Sequence, residues 1–256
     1  MGKNEKIAKD WTDPRSVLKC IGPKLVPFFK TVAIYFVLAD RESETWLTVV
    51  LKCLPLIWLC IFVVINGISF KEKHTYSRRI LLGLVFSMIG DAFLVGSSTF
   101  LYGLFSFSVA HLFYIAAFGF QPLNAFSGFI TFIIGSVGYS ILYPRLNGFY
   151  EVAVPYYITL LSVMLWRSLA RVQFADDGWT WTSLSSCVGG ILFTISDTLL
   201  GLNTFGVNTG LSPKLCQALT MITYYTAQMG IALSVVDNKS ICVLTNNKKK
   251  IETKTS

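Results

Sequence analysis

The sequence predicts an all-α, polytopic membrane protein with eight transmembrane helices. Hydrophobic residues make up 53% of the 256 residues and charged residues only 14%, with a mean hydropathy of +0.58. An average soluble domain carries roughly 25% charged residues. The chain also contains 20 Phe, 11 Tyr and 6 Trp residues, which is more aromatic surface than one small soluble core can bury. Lipid is therefore the expected solvent for most of the surface.

Eight segments satisfy the length of about 20 mostly apolar residues that a spanning helix needs. They cover residues 24–40, 46–69, 79–98, 100–120, 122–143, 151–171, 180–202 and 213–236. These segments define a basic N-terminal tail over 1–22, a transmembrane domain over 23–237 and a lysine-rich C-terminal tail over 238–256. Pro23 and Lys24 interrupt the stretch after the basic head, so no cleavable signal peptide is expected.

The distribution of positive charge predicts the orientation. Of the 22 Lys and Arg residues, 17 fall in the two tails and in the connections after the second and sixth spans, and only three fall on the other side. Because Lys and Arg accumulate on the cytosolic side, both termini are expected in the cytosol. The same clustering in tails and loops argues against nucleic-acid binding, in spite of the net charge of +8. The six cysteines form no C-x-x-C pair, so neither a disulfide framework nor a zinc site is expected.

Two segments four helices apart resemble each other. Residues 84–96 read LVFSMIGDAFLVG, and residues 191–201 read ILFTISDTLLG. A further similarity links residues 113–119 with 224–230. The similarity predicts two parallel four-helix repeats related by an axis along the membrane normal. In such an arrangement Asp91 and Asp197 would face each other.

These two aspartates are the costliest groups to bury. An acidic residue at the centre of a spanning helix costs about 2.5–3.5 kcal/mol, and of the 14 acidic residues only Asp91 and Asp197 fall deep inside predicted spans. Lys52 and His111 are expected at an overlapping depth. An ionisable group at such a depth is a functional-site hypothesis by default. The alternatives are that Lys52 only locks the bundle by pairing with an aspartate, and that His111 is a hydrogen-bonded core residue.

Two carboxyls in a low-dielectric pocket suit acid–base chemistry, because one can stay protonated while the other is ionised. Three kinds of protein use such a pair: an intramembrane aspartyl protease, a proton-coupled transporter, and a hydrolase that protonates an acid-labile bond. The protease is disfavoured, since presenilin-like enzymes use G-x-G-D and this chain reads Met88-Ile89-Gly90-Asp91. A zinc hydrolase is disfavoured because His74 and His111 are the only histidines.

Several short motifs are similar to those of one known family. They are Gly22–Lys30, Lys52–Pro55, Gly83–Ser87 with Gly90–Leu94, His111, Ser196-Asp197, and Tyr224-Tyr225 with Gln228. Over about residues 22–237 the chain resembles the YhhN-type membrane lysoplasmalogenases, and it is most similar to their vertebrate A-type members. The two aspartate motifs are the specific part of this resemblance.

The resemblance implies an eight-helix enzyme of the endoplasmic reticulum membrane. Its substrates would be lysoplasmenylethanolamine and lysoplasmenylcholine, whose vinyl-ether bond is hydrolysed to a fatty aldehyde and glycerophosphoethanolamine or glycerophosphocholine. It implies Asp91 and Asp197 as the catalytic pair, in unassigned order, with no cofactor or metal. Candidate substrate-binding or supporting residues are the polar side chains expected around that pair, namely Lys52, Ser87, His111, Tyr114, Ser196, Tyr224, Tyr225 and Gln228. The alternative is a proton-coupled transporter with Asp91 and Asp197 as protonation sites. A structural membrane scaffold is the third possibility.

Overall fold

The computed structural model describes residues 14–39, 44–67, 75–172 and 180–236, with side chains from Ile21 onward. Eight α-helices occupy these ranges: α1 (Pro14–Leu38), α2 (Trp46–Gly67), α3 (Thr75–Phe93), α4 (Phe100–Phe118), α5 (Ala125–Leu142), α6 (Tyr150–Ala170), α7 (Trp181–Thr204) and α8 (Pro213–Leu233). Two 3-10 turns, Ser97–Thr99 and Tyr143–Arg145, precede α4 and follow α5. The described ranges contain no strand, so the all-helical prediction is confirmed there.

Six of these helices contain a stretch long and apolar enough to cross a membrane. The exceptions are α3 and α8, the helices that carry Asp91 and the Tyr/Gln motif. The count of eight spans therefore stays a prediction. The C-terminal tail over 238–256 and His74 lie outside the described residues.

Two helix ends differ most from the predicted ones. Helix α1 begins at Pro14, within the predicted tail, and continues through Pro23 and Pro27. Hydropathy marks where the apolar stretch starts, and a helix can extend beyond it into water. Helix α3 ends at Phe93, five residues before the predicted end, and Gly96 is extended ahead of the next turn. Asp91 therefore lies in the last turn of α3, closer to the connecting loop than the sequence indicated.

The helices pack in a pattern that repeats after four elements. Helix α1 packs on α2 as α5 packs on α6, α2 on α3 as α6 on α7, and α3 on α4 as α7 on α8. The contact of α4 with α6 likewise corresponds to that of α8 with α2. The interfaces α3–α4 and α7–α8 are the most extensive.

Small residues allow the close approach of α7 and α8. A Cβ atom on Gly189 would lie 2.9 Å from the Ala227 carbonyl oxygen, and one on Gly230 would lie 3.0 Å from the Ser185 carbonyl oxygen. The Ser185 hydroxyl donates to the Gly230 carbonyl at 2.7 Å. Small residues at helix crossings let backbones approach in this way in membrane proteins. The contact fixes α8, and with it Tyr224, against the helix that carries Asp197.

Candidate functional site

Asp91 is buried at the end of α3 and is held from two other helices. It is 2% exposed. The Tyr224 hydroxyl of α8 donates to its Oδ2 at 2.5 Å, and Lys52 Nζ of α2 lies 3.6 Å from its Oδ1. The Tyr225 hydroxyl donates to the Lys52 carbonyl at 3.0 Å and ties α8 to α2 at the same level. Both carboxyl oxygens of Asp91 thus have partners, one of them a cation.

Asp197 has a different set of partners. The Tyr157 hydroxyl of α6 donates to its Oδ2. His111 Nε2 of α4 lies 3.0 Å from that hydroxyl and 3.7 Å from Oδ2. His111 is fully buried, and its Nδ1 has no hydrogen-bond partner among the described residues. The Tyr157 hydroxyl therefore links an imidazole to a carboxyl.

The two clusters correspond to each other at the level of the helices. Asp91 on α3 receives its partners from α2 and α8, and Asp197 on α7 receives its partners from α6 and α4. The chemistry is not the same, because Lys52 supplies a fixed cation to Asp91 whereas His111 and Tyr157 supply groups that can exchange a proton. The two carboxyls are therefore suited to different roles.

An aromatic layer lies between the clusters. The fully buried ring of Phe193 packs edge-on against His111 and Tyr224, with ring centroids 5.0 and 5.7 Å away. Phe107 packs against both Phe193 and Tyr224 at 6.2 and 6.0 Å. Tyr114 completes the layer, 6.4 Å from Phe193. These rings hold the polar groups in an otherwise apolar interior.

The remaining predicted site residues are divided between this centre and the helix interfaces. The Tyr114 hydroxyl donates to Gln228 Oε1 at 2.8 Å and lies 3.4 Å from the Ser87 hydroxyl. Gln228 Nε2 has no hydrogen-bond partner in the described part of the chain. The Ser196 hydroxyl instead donates to the Thr220 carbonyl at 2.9 Å, which ties α7 to α8. Ser196 is therefore not brought to either carboxyl.

Two neighbouring cavities have opposite character. A cavity of about 130 Å³ has Asp197 and Tyr157 on its wall among mostly apolar side chains of α4, α5, α6 and α7. We call it the chain cavity. A second cavity of about 730 Å³, the polar cavity, has Lys52 on its wall together with Glu44 and Arg145. The two share the wall residues Leu94, Phe100, Leu200 and Phe205.

The polar cavity lies at one end of the bundle. Its walls include residues just before α2, between α3 and α4, between α5 and α6, and at the end of α7. All four positions are at the end opposite the start of α1 and the end of α8, since each helix reverses the direction of the chain. The cavity is therefore surrounded by the loops at the end of the bundle far from the start of α1 and the end of α8.

Glu44 and Arg145 are fixed at this end by neighbouring loops. The Ser97 backbone N–H donates to Glu44 Oε1 at 2.8 Å, and this bond lowers the pKa of the Glu44 carboxyl. Arg145 Nη1 donates to the Gly206 carbonyl, and to the Phe205 carbonyl at 3.4 Å. Among the described residues neither side chain has an oppositely charged partner.

Sequence reasoning missed Tyr157, Arg145 and Glu44. A tyrosine in an aromatic-rich span is typical of an interface position, and Tyr157 follows the exposed Tyr156 directly. Arg145 and Glu44 lie in short loops, where charged side chains are expected and do not by themselves indicate a site. The one signal for Arg145 was that only three Lys and Arg residues, including Arg145, were predicted on the non-cytosolic side. In the described ranges no group of three or more His, Cys, Asp or Glu side chains can hold a metal ion.

Comparison with known proteins identifies the family. The sequence profile of the YhhN family matches residues 47–235, most of the chain. The chain belongs to the YhhN family. The YhhN match includes every residue of the two carboxyl clusters and Arg145, whereas Glu44 lies just outside it.

The curated relatives cover nearly the whole of this YhhN protein. Lysoplasmalogenase TMEM86A of Homo sapiens is 41% identical over 229 residues, which is 88% of this chain and 94% of the relative. The Bos taurus protein of the same name is 40% identical over the same shares. Lysoplasmalogenase TMEM86B of Sus scrofa is 35% identical, over 84% of this chain and 87% of the relative. The A-type relatives are thus more similar than this B-type relative, which confirms the predicted family and subtype. No solved structure gives a significant match.

Proposed function

We propose that this protein is a lysoplasmalogenase of the endoplasmic reticulum membrane. It would hydrolyse the vinyl ether of lysoplasmenylethanolamine and lysoplasmenylcholine to a fatty aldehyde and glycerophosphoethanolamine or glycerophosphocholine. The names of the curated relatives support this activity. The structural observation that carries it is the position of Asp197 on the wall of the chain cavity, next to a charged cavity. A single-chain phospholipid has its vinyl ether at the same junction, between an apolar chain and a polar head.

The chemistry of the bond explains why a carboxyl pair is suitable. A proton adds to the alkene carbon distal to the ether oxygen, and this gives an oxocarbenium ion. Water adds to the carbon attached to oxygen and loses a proton, and the resulting hemiacetal collapses as its bond to the glycerol oxygen breaks. One water is consumed and no redox change occurs. Glycosidases stabilise a similar cation with a pair of carboxyls.

The geometry favours Asp197 as the proton donor. The carbon to be protonated belongs to the alkenyl chain, and Asp197 is the carboxyl that lines the chain cavity. Tyr157 and His111 form a hydrogen-bonded path to Oδ2 of Asp197, through which the proton released by the attacking water can return. General acid catalysis of this kind typically contributes 10²–10⁴-fold.

Asp91 is suited to the complementary role. The Lys52 ammonium at 3.6 Å and the Tyr224 hydroxyl at 2.5 Å would each interact favourably with a carboxylate at this position. A fixed negative charge next to the aromatic layer would stabilise the oxocarbenium ion. Lys52 would keep that charge in place and would also take part in binding the head group from the floor of the polar cavity.

We also retain the eight-span arrangement with both termini in the cytosol. Helices α3 and α8 contain 19 and 21 residues, or roughly 28 and 31 Å, close to the hydrocarbon thickness of about 30 Å. Both pack against helices that are apolar enough to span. Several of their polar residues are buried among neighbouring helices, namely Ser87, Asp91, Tyr224 and Gln228. These residues lower the mean hydropathy of the two helices without requiring water around them.

The experiment is aldehyde release from lysoplasmenylethanolamine by the purified protein in detergent. The wild type should produce aldehyde without any ion gradient. In D₂O the aldehyde should carry one deuterium at the carbon next to the carbonyl, with unlabelled aldehyde incubated in D₂O as the exchange control. Asp197→Asn and Asp91→Asn should each lower turnover at least about 100-fold. Glu151→Gln, a change of an exposed carboxyl in the first turn of α6, is the matched control and should be silent.

A proton-coupled transporter is the second candidate, because the two halves supply related partner sets to Asp91 and Asp197. It makes the opposite prediction in the same experiment. A folded wild type that releases no aldehyde from either head-group form would reject the hydrolase, and proton-driven uptake into sealed vesicles would then be measured.

A further inference from the structure

We infer that the polar cavity is a binding site for a zwitterionic phosphodiester head group, with Arg145 binding the phosphate and Glu44 binding the ammonium. The inference rests on the proposed function for the identity of the attached chain. It assigns roles to two residues outside the carboxyl clusters, and it names the class of lipid that the protein selects.

The charges in the cavity support this assignment. Of its three charged wall residues, Lys52 is offset by Asp91 at 3.6 Å, whereas Arg145 and Glu44 have no oppositely charged partner in the described part of the chain. A ligand with one positive and one negative group would pair with both. A ligand with only a negative head would pair with Arg145 and leave Glu44 as a repulsive neighbour.

Both side chains are oriented before any ligand arrives. The Ser97 N–H holds one oxygen of Glu44, and the Gly206 and Phe205 carbonyls hold Nη1 of Arg145. The remaining guanidinium donors of Arg145 have no hydrogen bonds to the described residues. A planar guanidinium suits phosphate because it can donate two parallel hydrogen bonds.

The position of the polar cavity determines which part of a bound lipid lies beside the chain cavity. The polar and chain cavities share four wall residues, so a head group in one places the first carbons of the chain beside the other. The volume of about 730 Å³ lies within the usual range for ligand pockets, about 300–1,000 Å³. Binding of the head group would therefore position the vinyl ether next to Asp197.

Binding of saturated ether analogues tests the inference without depending on catalysis. The full-length protein in detergent is titrated with radiolabelled 1-O-alkyl-glycerophosphoethanolamine, 1-O-alkyl-glycerophosphoglycerol and 1-O-alkylglycerol, none of which contains a vinyl ether. Arg145→Gln should raise the Kd of both phospholipids about tenfold and leave that of 1-O-alkylglycerol unchanged. Glu44→Gln should raise the Kd of 1-O-alkyl-glycerophosphoethanolamine and leave that of 1-O-alkyl-glycerophosphoglycerol unchanged.

Two variants serve as matched controls. Arg79 also donates from Nη1 to a backbone carbonyl, that of Ala116, but it does not line the cavity. Glu151 is an exposed carboxyl that is likewise not on the cavity wall. Neither Arg79→Gln nor Glu151→Gln should change any of the three Kd values.

The outcomes separate this inference from the proposed function. A preference for phospholipid over 1-O-alkylglycerol that is the same in wild type and Arg145→Gln rejects the inference, even if aldehyde release is normal. Loss of 1-O-alkylglycerol binding would indicate that Arg145→Gln is misfolded. In that case Glu44→Gln tests the inference through the ratio of its Kd values for the glycerophosphoethanolamine and glycerophosphoglycerol lipids, which should differ from the wild-type ratio. Selective binding by a protein that releases no aldehyde would support the head-group site and reject the hydrolase.

Discussion

The Tyr157 hydroxyl connects the members of the Asp197 cluster. It bonds to the carboxyl and lies 3.0 Å from His111 Nε2, so it connects two groups that can exchange a proton. Asp197 has no other side-chain hydrogen bond among the described residues, and His111 Nε2 lies 3.7 Å from its Oδ2. Loss of this hydroxyl would disconnect the imidazole and leave the carboxyl in an apolar wall.

We therefore expect Tyr157→Phe to lower kcat for aldehyde release by about 10- to 100-fold, with a smaller change in KM. The matched control is Tyr156→Phe, which removes a hydroxyl from the adjacent residue, 55% exposed on the outer face of α6. That control should retain wild-type kcat. Equal rates for the two variants would exclude a role for Tyr157 in proton transfer.

Single residues show what sequence reasoning can and cannot find in a membrane protein. Asp91, Asp197 and Lys52 were predicted because a charge in lipid carries a cost that demands a reason. Tyr157 was not, because its hydroxyl costs little to bury and its role exists only once α6 and α7 are packed together. The pairing of Asp91 with Lys52 rather than with His111 also depends on helix packing, which no local pattern encodes.

At the scale of helices, the site depends on how closely α3 approaches α4. A Cβ atom on Gly90 would lie 2.6 Å from two ring carbons of Phe107. Phe107 is buried, lines the chain cavity and packs on Phe193 and Tyr224. Glycine at this position therefore allows the ring to lie between the two carboxyl clusters.

Gly90→Ala should displace the Phe107 ring, lower the free energy of unfolding by about 1–3 kcal/mol and reduce aldehyde release. Gly138→Ala is the control, since Gly138 lines the same cavity and a Cβ there meets nothing within 4 Å. Thermal unfolding in detergent and turnover would be measured for both. Equal stability and equal turnover of the two variants would contradict this role of Gly90.

The elements themselves were predictable and their ends were not. Eight apolar segments gave eight helices in the described ranges, because hydropathy over 20 residues averages out local detail. The end of α3 at Phe93 depends on the extended conformation at Gly96 and on the short turn that follows. That small shift matters, because it brings Asp91 close to the polar cavity.

For the molecule as a whole, the repeating contacts support the predicted duplication. The four helix pairings of one half recur in the other, and each aspartate receives partners from corresponding helices. The duplication stays a prediction. It would account for the two corresponding carboxyl clusters, and divergence of their partners would account for the two proposed roles.

The loops around the polar cavity lie at the opposite end of the bundle from the start of α1 and the end of α8. If both termini are in the cytosol, as we propose, the water-soluble product should leave on the luminal side. Sealed endoplasmic reticulum vesicles with a protease-accessible C-terminal tag should retain glycerophosphoethanolamine until detergent opens them. Its appearance in the outer medium at the rate of its formation would contradict the predicted orientation.

Such an exit would sort the two halves of one substrate into different compartments. The aldehyde would be released beside α5, the least buried of the six apolar helices, and would pass into the bilayer. The second product, a small ionic alcohol, would enter the lumen and could not recross the membrane. The enzyme would then release its two products into different compartments. The aldehyde would be available to a membrane-bound oxidoreductase, and the alcohol to a luminal phosphodiesterase.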